Sequence, residues 1–342
     1  MSPRVQIGIV TFNSGEHLRA CLESVKAQKF RDFGVWLWDN GSTDETSEII
    51  AAYRGFLSSE QVSEINMGFC SAHNRLIESG NSDYVLVLNP DVVLEPHFIE
   101  VLVRELDRDP SAGSATGKLV RPHLEPRILD STGIYFTPNQ RHLDRGSGEI
   151  DAGQYDRAEY VFGASGAAAL YRRTMLEDVR QGSEYFDESF FAYREDADLA
   201  WRAQWMGWKC LYIPEATAFH ERRVLPEKRL SLPGLINMHS FKNRFLLRIK
   251  NLDAGTYARF FIPISARDLA ALAYVLLRER SSIPSLMLVL KNLPGAWKKR
   301  KLLQSRRRVP AREIRSWFSY NPVSKIRDSR FEIRDSNFES RI

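Results

Sequence analysis

The sequence predicts an α/β protein, a mostly parallel sheet sandwiched by helices, followed by a helical appendage. Strand-like and helix-like segments alternate from Val5 to Leu88, the pattern of parallel strands joined by crossover helices. Polar clusters fall at the carboxyl ends of the strand-like runs: Thr11-Phe12-Asn13, Asp39-Asn40-Gly41 and Asn89-Pro90-Asp91. After about Arg229 the alternation stops, and Arg and Lys interleave apolar residues at helical spacing.

Each element follows from its residues. Val5–Thr11 is a short β-rich run. Leu18, Leu22 and Val25 give Glu16–Gln28 a helical stripe. Gly34–Trp38 reads as a buried strand, and Ser42–Tyr53 as a helix behind the capping run Gly41-Ser42-Thr43-Asp44. Val62–Ile65 is expected as a strand, Gly68–Gly80 as a helix, and the apolar run Tyr84–Leu88 as a buried strand. Lys118 to Tyr160 is punctuated by Gly and Pro and predicts a hairpin or a loop over the site. Val161–Tyr171 returns to small and apolar residues, and Phe186–Gly207 holds a polar-aromatic helix start. Cys210–Ile213 and Ala216–Phe219 read as two short strands around Pro214. Leu235–Ile249, Leu269–Leu277 and Leu286–Leu293 are the helical pieces that follow. Ile326–Ile342, with the near-repeat IRDSRFE and IRDSNFE, has few core-forming residues and is expected to be disordered. The expected division is 1–230 for the catalytic body, 231–310 for a basic helical appendage and 311–342 for a tail.

Composition excludes several classes. Hydrophobic residues are 43% and charged residues 27% of the chain, ordinary globular usage that rules out global disorder. The net charge is only +5, but Lys291 to Arg315 holds ten basic residues and one acid, Glu313. Cys21, Cys70 and Cys210 are odd in number and widely spaced, which argues against a disulfide framework or a CxxC metal site. No signal peptide is recognisable at the start, and the apolar stretch Phe260 to Leu277 is broken by Pro263 and Arg267-Asp268. A cytoplasmic protein, soluble or peripheral at the inner face of the membrane, is expected.

Several clusters carry chemistry. Asp91 leaves an apolar strand at a strand end, where open α/β sheets bind ligands. A carboxylate there suits a hard divalent cation holding phosphate oxygens, or simply turns out of the strand. Asp39 can accept from a base N–H or cap the following helix. Asn66-Met67-Gly68-Phe69 leads into a helix that carries Asn74. Its glycine permits close backbone approach, and its N-terminus favours anions. Glu195, Asp196 and Asp198 follow Phe190-Phe191-Ala192-Tyr193. Acids are favoured at a helix N-terminus, but aromatics before them suggest a partly dry pocket in which a carboxylate is tuned as a base. His220, at the end of a β-like piece, is a candidate metal ligand or a structural histidine.

Together these pieces resemble the family 2 inverting glycosyltransferases of the GT-A, Rossmann-like fold, in their rhamnosyltransferase-like and galactofuranosyltransferase-like branch. The matching segments, in order, are IGIVTFNSGEHLRACLESV, DNGSTD, NMGFCSAHN, VLVLNPDV, GASGAAALYRR and FDESFFAYREDADLAWRAQWMGWKCLYIPEATAFH. The resemblance implies that Thr11, Asn13, Asp39 and Asn40 line the base and ribose pocket. It implies that Asn66, Gly68, Phe69 and Asn74 shape the donor floor. Asp91 would be the acid of a DxD-type motif whose first position is here Asn89, and His220 would complete the shell of a Mg²⁺ or Mn²⁺ ion. Asp196 would be the general base, with Glu195 and Asp198 as pocket acids. The implied reaction is a single inverting displacement on a nucleoside diphosphate sugar, with dTDP-rhamnose the leading donor and UDP-sugars an alternative. The QxxRW motif of processive relatives is absent; Trp201-Arg202-Ala203-Gln204-Trp205 stands after the acids. A non-processive enzyme of cell-surface polysaccharide synthesis follows, acting on a glycan or lipid-linked acceptor.

The basic run Lys298–Arg308 is expected either to meet an anionic membrane surface or to be a solvated face. No aromatic interleaving points to nucleic acid. The rivals are a non-catalytic nucleotide-sugar-binding scaffold, for which Asn89 leaves room, and a sugar-nucleotide-making transferase, whose Gly-rich basic loop is missing. A dinucleotide oxidoreductase is weaker, because no GxGxxG follows the first strand.

Overall fold

The computed structural model describes residues 2–222 and 234–318. Its centre is a ten-stranded mixed sheet. β1 (Val5–Thr11), β2 (Phe33–Asp39), β3 (Ser59–Val62) and β4 (Tyr84–Leu88) run parallel, in the spatial order β4-β1-β2-β3. β11 (Ala168–Arg172) enters antiparallel between β4 and β6 (Ala112–Val120). β12 (Lys209–His220) lies parallel to β6, and β10 (Glu159–Val161) forms the far edge. The short strands β5 (Val92–Leu94) and β7 (Leu129–Ser131) branch from β12 and β6. β8 (Ile134–Phe136) and β9 (His142–Asp144) form a separate hairpin inside the stretch expected to cover the site.

The helices form where an apolar stripe needs covering. α1 (Gly15–Lys26) buries Leu18, Cys21, Leu22 and Val25 at helical spacing. α2 (Thr46–Tyr53), α3 (Gly68–Glu78) and α4 (Phe98–Arg108) complete the first crossovers, and α5 (Arg173–Val179) and α6 (Glu195–Trp205) follow β11. α2 starts four residues later than Ser42. The Asp44 carboxylate accepts the N–H groups of Gly15 and Thr46, so the preceding residues form its capping turn. The strand expected at Val62–Ile65 lies instead at Ser59–Val62. It is an edge strand whose register is set by backbone pairing with β2, while Val62 and Ile65 are exposed. The two strands expected around Pro214 are the single strand β12. Pro214 sits at its register shift between Ile213 and Thr217, where no ladder donor is required.

The C-terminal helical region is present, its helices are longer than expected, and it packs against the body. The helices are α7 (Gly234–Asn251), α8 (Ala254–Arg259), α9 (Phe261–Leu277), α10 (Pro284–Arg306) and α11 (Ala311–Trp317). Pro263 falls in the first turn of α9, where its missing N–H costs nothing. Leu246, Leu247, Ile264, Leu303 and Ile314 join the same buried cluster as Trp201, Trp205 and Phe162. The start of the stretch expected as a tail from residue 311 is the helix α11. α11 is anchored because Phe318 packs 5.1 Å from Trp201 and 5.7 Å from Phe136, ring to ring. Residues 319–342, including the near-repeat, lie outside the described residues.

Charge fastens these helices to the catalytic body. Lys250 on α7 is fully buried. Its ammonium donates to Asp187 and, at 2.9 Å, to Asp198. Burial alone would raise both carboxyls, but Lys250, helped by Lys299 at Asp187 and Arg202 at Asp198, holds both below the usual carboxylate range. Much of the basic run is engaged in the same way. Lys299 is 2.7 Å from Asp187, Arg300 donates to the carbonyls of Ile249 and Leu252, and Arg306 and Arg308 both bind Asp178. The uniform surface patch expected at Lys298–Arg308 is therefore reduced to its outward residues.

Removing one partner of a buried ion cluster leaves the other charges uncompensated. Lys250→Met is expected to cost about 3–5 kcal/mol in urea unfolding. Asp187 and Asp198 have depressed folded pKa values, so their contribution is present at neutral pH and is lost as pH falls below about 4. The variant should show a flatter loss of stability on acidification than the parent. An unchanged midpoint and an unchanged acid profile would show that the cluster contributes nothing to holding α7.

Candidate active site

One cavity of about 1220 Å³ opens at the carboxyl ends of the central strands. Its first wall comes from strand pairing. β4 ends in Asn89-Pro90-Asp91 and the chain turns into β5, which pairs antiparallel with the end of β12 and sets His220 opposite Val92. That register brings His220 Nε2 to 3.5 Å from Asp91 Oδ1. The other ring nitrogen, Nδ1, is 2.7 Å from Asp130 Oδ2. Asp130 is itself 2.9 Å from the Arg222 guanidinium. Burial opposes a charged imidazole, but Asp130 and Asp91 outweigh it and raise His220 to about 9. Burial would also raise Asp91, and His220 reverses this and holds it below the usual range.

Asp91 Oδ1 is buried and accepts no hydrogen bond. A buried, unpartnered carboxylate oxygen beside an imidazole is a donor set that a divalent cation satisfies. Among the described residues no group of three or more His, Cys, Asp or Glu side chains is placed to hold a metal. Asp91 and His220 therefore fit a cation that draws its other ligands from phosphate oxygens and water. Asp130 holds the other ring nitrogen, the position from which a carboxylate would orient a ligating imidazole. Its only signal in the sequence would have been a lone acid within a Gly/Pro-punctuated stretch.

The second wall is the start of α6. Asp196 Oδ2 accepts the Gly166 N–H at 3.1 Å, and Oδ1 accepts the Ala197 N–H at 2.7 Å. A Cβ on Gly166 would sit 3.3 Å from Asp196 Cβ, so a glycine lets the backbone approach this closely. Burial raises the pKa of Asp196 despite these hydrogen bonds. Burial and the neighbouring Asp196 raise Glu195 well above the carboxylate range, and its Oε2 is buried without a partner. Both line the cavity. Asp198 does not. Two residues along an α-helix is about 200° of rotation, which turns Asp198 into the core. There it accepts from Arg202 Nε at 2.9 Å, from Asn251 Nδ2 at 2.8 Å and from Lys250. It is a structural anchor of α6, not a pocket acid.

The loop leading to α6 is strained and clamped. Phe191, Tyr193 and Arg194 all have positive φ, at 67°, 69° and 72°, a conformation side chains rarely adopt. Asn243 on α7 holds it, its Nδ2 donating to the carbonyls of Phe190, Ala192 and Tyr193 at 2.9, 2.8 and 2.7 Å. On the other side a Cβ on Gly68 would fall 2.6 Å from the Phe191 ring, so glycine is required for α3 to buttress the loop. Neither Asn243 nor Lys250 stood out in the sequence, because each looks like an ordinary polar helix residue.

The residues expected to bind the nucleotide fall into three groups. Asn89 and Phe69 line the cavity with Asp91. Thr11, Asn13, Asp39 and Asn40 cluster on the same sheet edge, at the ends of β1 and β2. Thr11 Oγ1 donates to Asp39 Oδ1 at 2.9 Å, Asn13 Oδ1 accepts the Thr43 N–H at 2.9 Å, and Asn40 Oδ1 accepts from Trp38 Nε1 at 3.1 Å. Asn66 Oδ1 accepts the Gly68 N–H at 2.9 Å and shapes the turn into α3. Asn74 is placed differently from the expectation. Its Nδ2 donates to Phe186 O and Glu188 Oε1, and its Oδ1 accepts the N–H groups of Tyr185 and Phe186. With every polar position engaged, it ties α3 to the 185–188 segment and does not form the donor floor.

Comparison with known proteins agrees with this geometry. The family model "Glycosyl transferase family 2" matches residues 6–180. An N-acetylglucosaminyl-diphospho-decaprenol L-rhamnosyltransferase of Mycobacterium tuberculosis is 30% identical over 253 residues, covering 65% of this chain and 77% of the relative. Among solved structures, GalNAc-T7 with UDP, GalNAc and Mn²⁺ superposes with a TM-score of 0.60 at 12% identity, over 89% of this chain and 55% of the other. Staphylococcus aureus TarS superposes with a TM-score of 0.54 at 16% identity, over 92% of this chain and 55% of that chain. This chain thus spans only about half the length of these two structures, which show the shared GT-A fold. The match over residues 6–180 covers the donor-side strands and β11, and it establishes that the chain is a member of glycosyltransferase family 2.

Proposed function

We propose that this glycosyltransferase is inverting, non-processive and metal-dependent, moving a sugar from a nucleoside diphosphate sugar to a hydroxyl of a glycan or lipid-linked acceptor. The observation that carries the reading is the meeting, in one cavity, of the Asp91–His220 pair with the carboxylate of Asp196. Thr11, Asn13, Asp39 and Asn40 are the proposed base and ribose contacts, and Asn66, Gly68, Phe69 and Asn89 the proposed donor-side contacts. dTDP-rhamnose is the leading donor, supported by the rhamnosyl activity in the mycobacterial relative's name; a UDP-sugar is the alternative.

Asp91 and His220 would hold Mg²⁺ or Mn²⁺, which when bound neutralises the charge that develops on the departing diphosphate. The rest of the step belongs to the chain. Asp196, held by the Gly166 N–H, accepts the proton of the acceptor hydroxyl as that oxygen bonds to the anomeric carbon. The bond from that carbon to the diphosphate oxygen breaks on the opposite face, and configuration inverts. A carboxylate with a raised pKa is a stronger base than an exposed one. One suffices because no covalent intermediate forms. Glu195, also raised, is a proposed neutral donor to the acceptor or to Asp196.

The chain is proposed to work in cell-surface polysaccharide synthesis, at the inner face of the cell membrane. Among the described residues no helix is long and apolar enough to cross a membrane. Leu269, Leu277, Met287, Leu290 and Trp297 are exposed on α9 and α10. Lys291, Lys298 and Lys301 are exposed on α10 as well, a composition suited to an anionic interface.

Asp196→Asn should retain donor binding while transfer falls by about 10²–10⁴; loss of donor affinity, or transfer within threefold of the parent, would remove Asp196 from the base role. Asp91→Ala should abolish the Mn²⁺-dependent part of donor affinity in calorimetry. Asp130→Asn, which removes the carboxylate behind His220, should weaken Mn²⁺-supported donor binding by about 10–100-fold with a smaller change in EDTA.

A further inference from the structure

Asp91, Glu195 and Asp196 line the cavity, and so do several guanidinium groups. Of these, Arg222 is engaged by Asp130 and Asp144, and Arg194 bonds the Ser240 carbonyl and His142. Arg141, just before β9, and Arg267, on α9, differ. Both line the cavity and are half-buried. Among the described residues neither has a carboxylate within ion-pair distance or a side-chain hydrogen bond. The acid next to Arg267, Asp268, is engaged by Arg248 through contacts of 2.8 and 2.7 Å. Burial, then the positive charges of Arg141 and Arg248, push the Arg267 guanidinium below its usual range. Two guanidinium groups that line one cavity, neither paired with a carboxylate at contact distance, are stabilised by an anionic ligand, and guanidinium forks match phosphate oxygens.

The location assigns the anion. The proposed donor diphosphate belongs with Asp91 and His220 on the sheet edge. Arg267 belongs to α9, whose Ala270, Ala271 and Tyr274 continue the cavity wall and whose Leu269, Leu276 and Leu277 are exposed. Neither Arg141 nor Arg267 sits on the strands that carry Asp91 and His220, so a phosphate held by the pair is separate from one held by that site.

We infer that Arg141 and Arg267 form a second anion subsite, which takes a phosphate or diphosphate group of the acceptor. This rests on the proposed transferase reading and names the acceptor's charged group. The acceptor hydroxyl then reaches Asp196 while its phosphate is fixed by Arg141 and Arg267. The arrangement selects phosphorylated acceptors over neutral glycans.

The test titrates the full chain with geranyl diphosphate in EDTA, where no cation can hold a diphosphate at Asp91 and His220. Saturable binding is expected, weakened at least about tenfold in Arg141→Gln/Arg267→Gln, partly restored in the double Lys variant, and unchanged in Asp91→Ala. Thermal melting of each variant checks that it is folded. With Mn²⁺ added, binding of dTDP and UDP should be the same in the parent and in the double Gln variant. Equal geranyl diphosphate affinity in the parent and the double Gln variant would overturn the subsite. So would loss of that binding in Asp91→Ala, or loss of nucleotide binding in the double Gln variant, either of which would place the arginines on the donor side. Failure of the parent to bind any nucleotide with Mn²⁺ would instead strike the donor reading, and the EDTA titration would still decide the arginine pair.

Discussion

The active face depends on the buried grip of α7 on the segment before α6. Lys250 carries one charge between two carboxylates, Asp187 and Asp198, at either end of the segment that delivers Asp196. Asn243 satisfies three carbonyls within it. A loop with three side-chain-bearing residues at positive φ does not persist unless its surroundings over-determine it. Here the C-terminal helices supply that constraint, together with Gly68 pressed against Phe191. The region that looks least like a catalytic domain is therefore what fixes the proposed catalytic carboxyl.

The other half of the site is fixed by sheet register. Asp91 and His220 lie far apart in sequence, and the β5–β12 pairing alone makes them neighbours. A one-residue slip would turn His220 to the opposite face. Asp130, on a strand that branches from β6, holds the imidazole from behind. Backbone pairing and one buried carboxylate thus do for this side what α7 does for the other. The cavity between them is lined by elements from both halves of the chain.

Much of the fold was legible in the sequence, and the limits have physical reasons. β1, β4 and α3 could be read because their apolar patterns are continuous and their ends carry turn chemistry. Asp91, Glu195 and Asp196 could be singled out because acids after apolar or aromatic runs are uncommon, and His220 because it ends a β-like piece. Asp198 and Asn74 were misread because helix phase and hydrogen-bond saturation are properties of the packed chain. Asp130, Asn243 and Lys250 were missed for the complementary reason: a polar residue in an irregular stretch or on a basic helix looks solvated until its partner, tens of residues away, is seen. The basic run 298–308 was read by composition, whereas partners within the chain engage the half-buried Lys299 and Arg300 and the exposed Arg306 and Arg308. β3 shifted because an edge strand is positioned by its neighbour and not by its own side chains.

The Lys250 bridge also bears on the order in which the molecule can assemble. Asp198 precedes Lys250 by 52 positions and Asp187 by 63. At ordinary rates of about 5–20 residues per second, a ribosome needs about 3–10 s to add the 52 residues between Asp198 and its counterion. Through that interval the parallel strands can pair and cover their apolar faces, while the acid-bearing segment remains hydrated and unfixed. The half of the enzyme built on the parallel strands is thus able to form first, and the proposed base is set in place only after the helix that carries Lys250 has been made. Catalytic competence is in this sense a C-terminal event, even though every residue proposed to touch the reacting atoms has already been synthesised by residue 220.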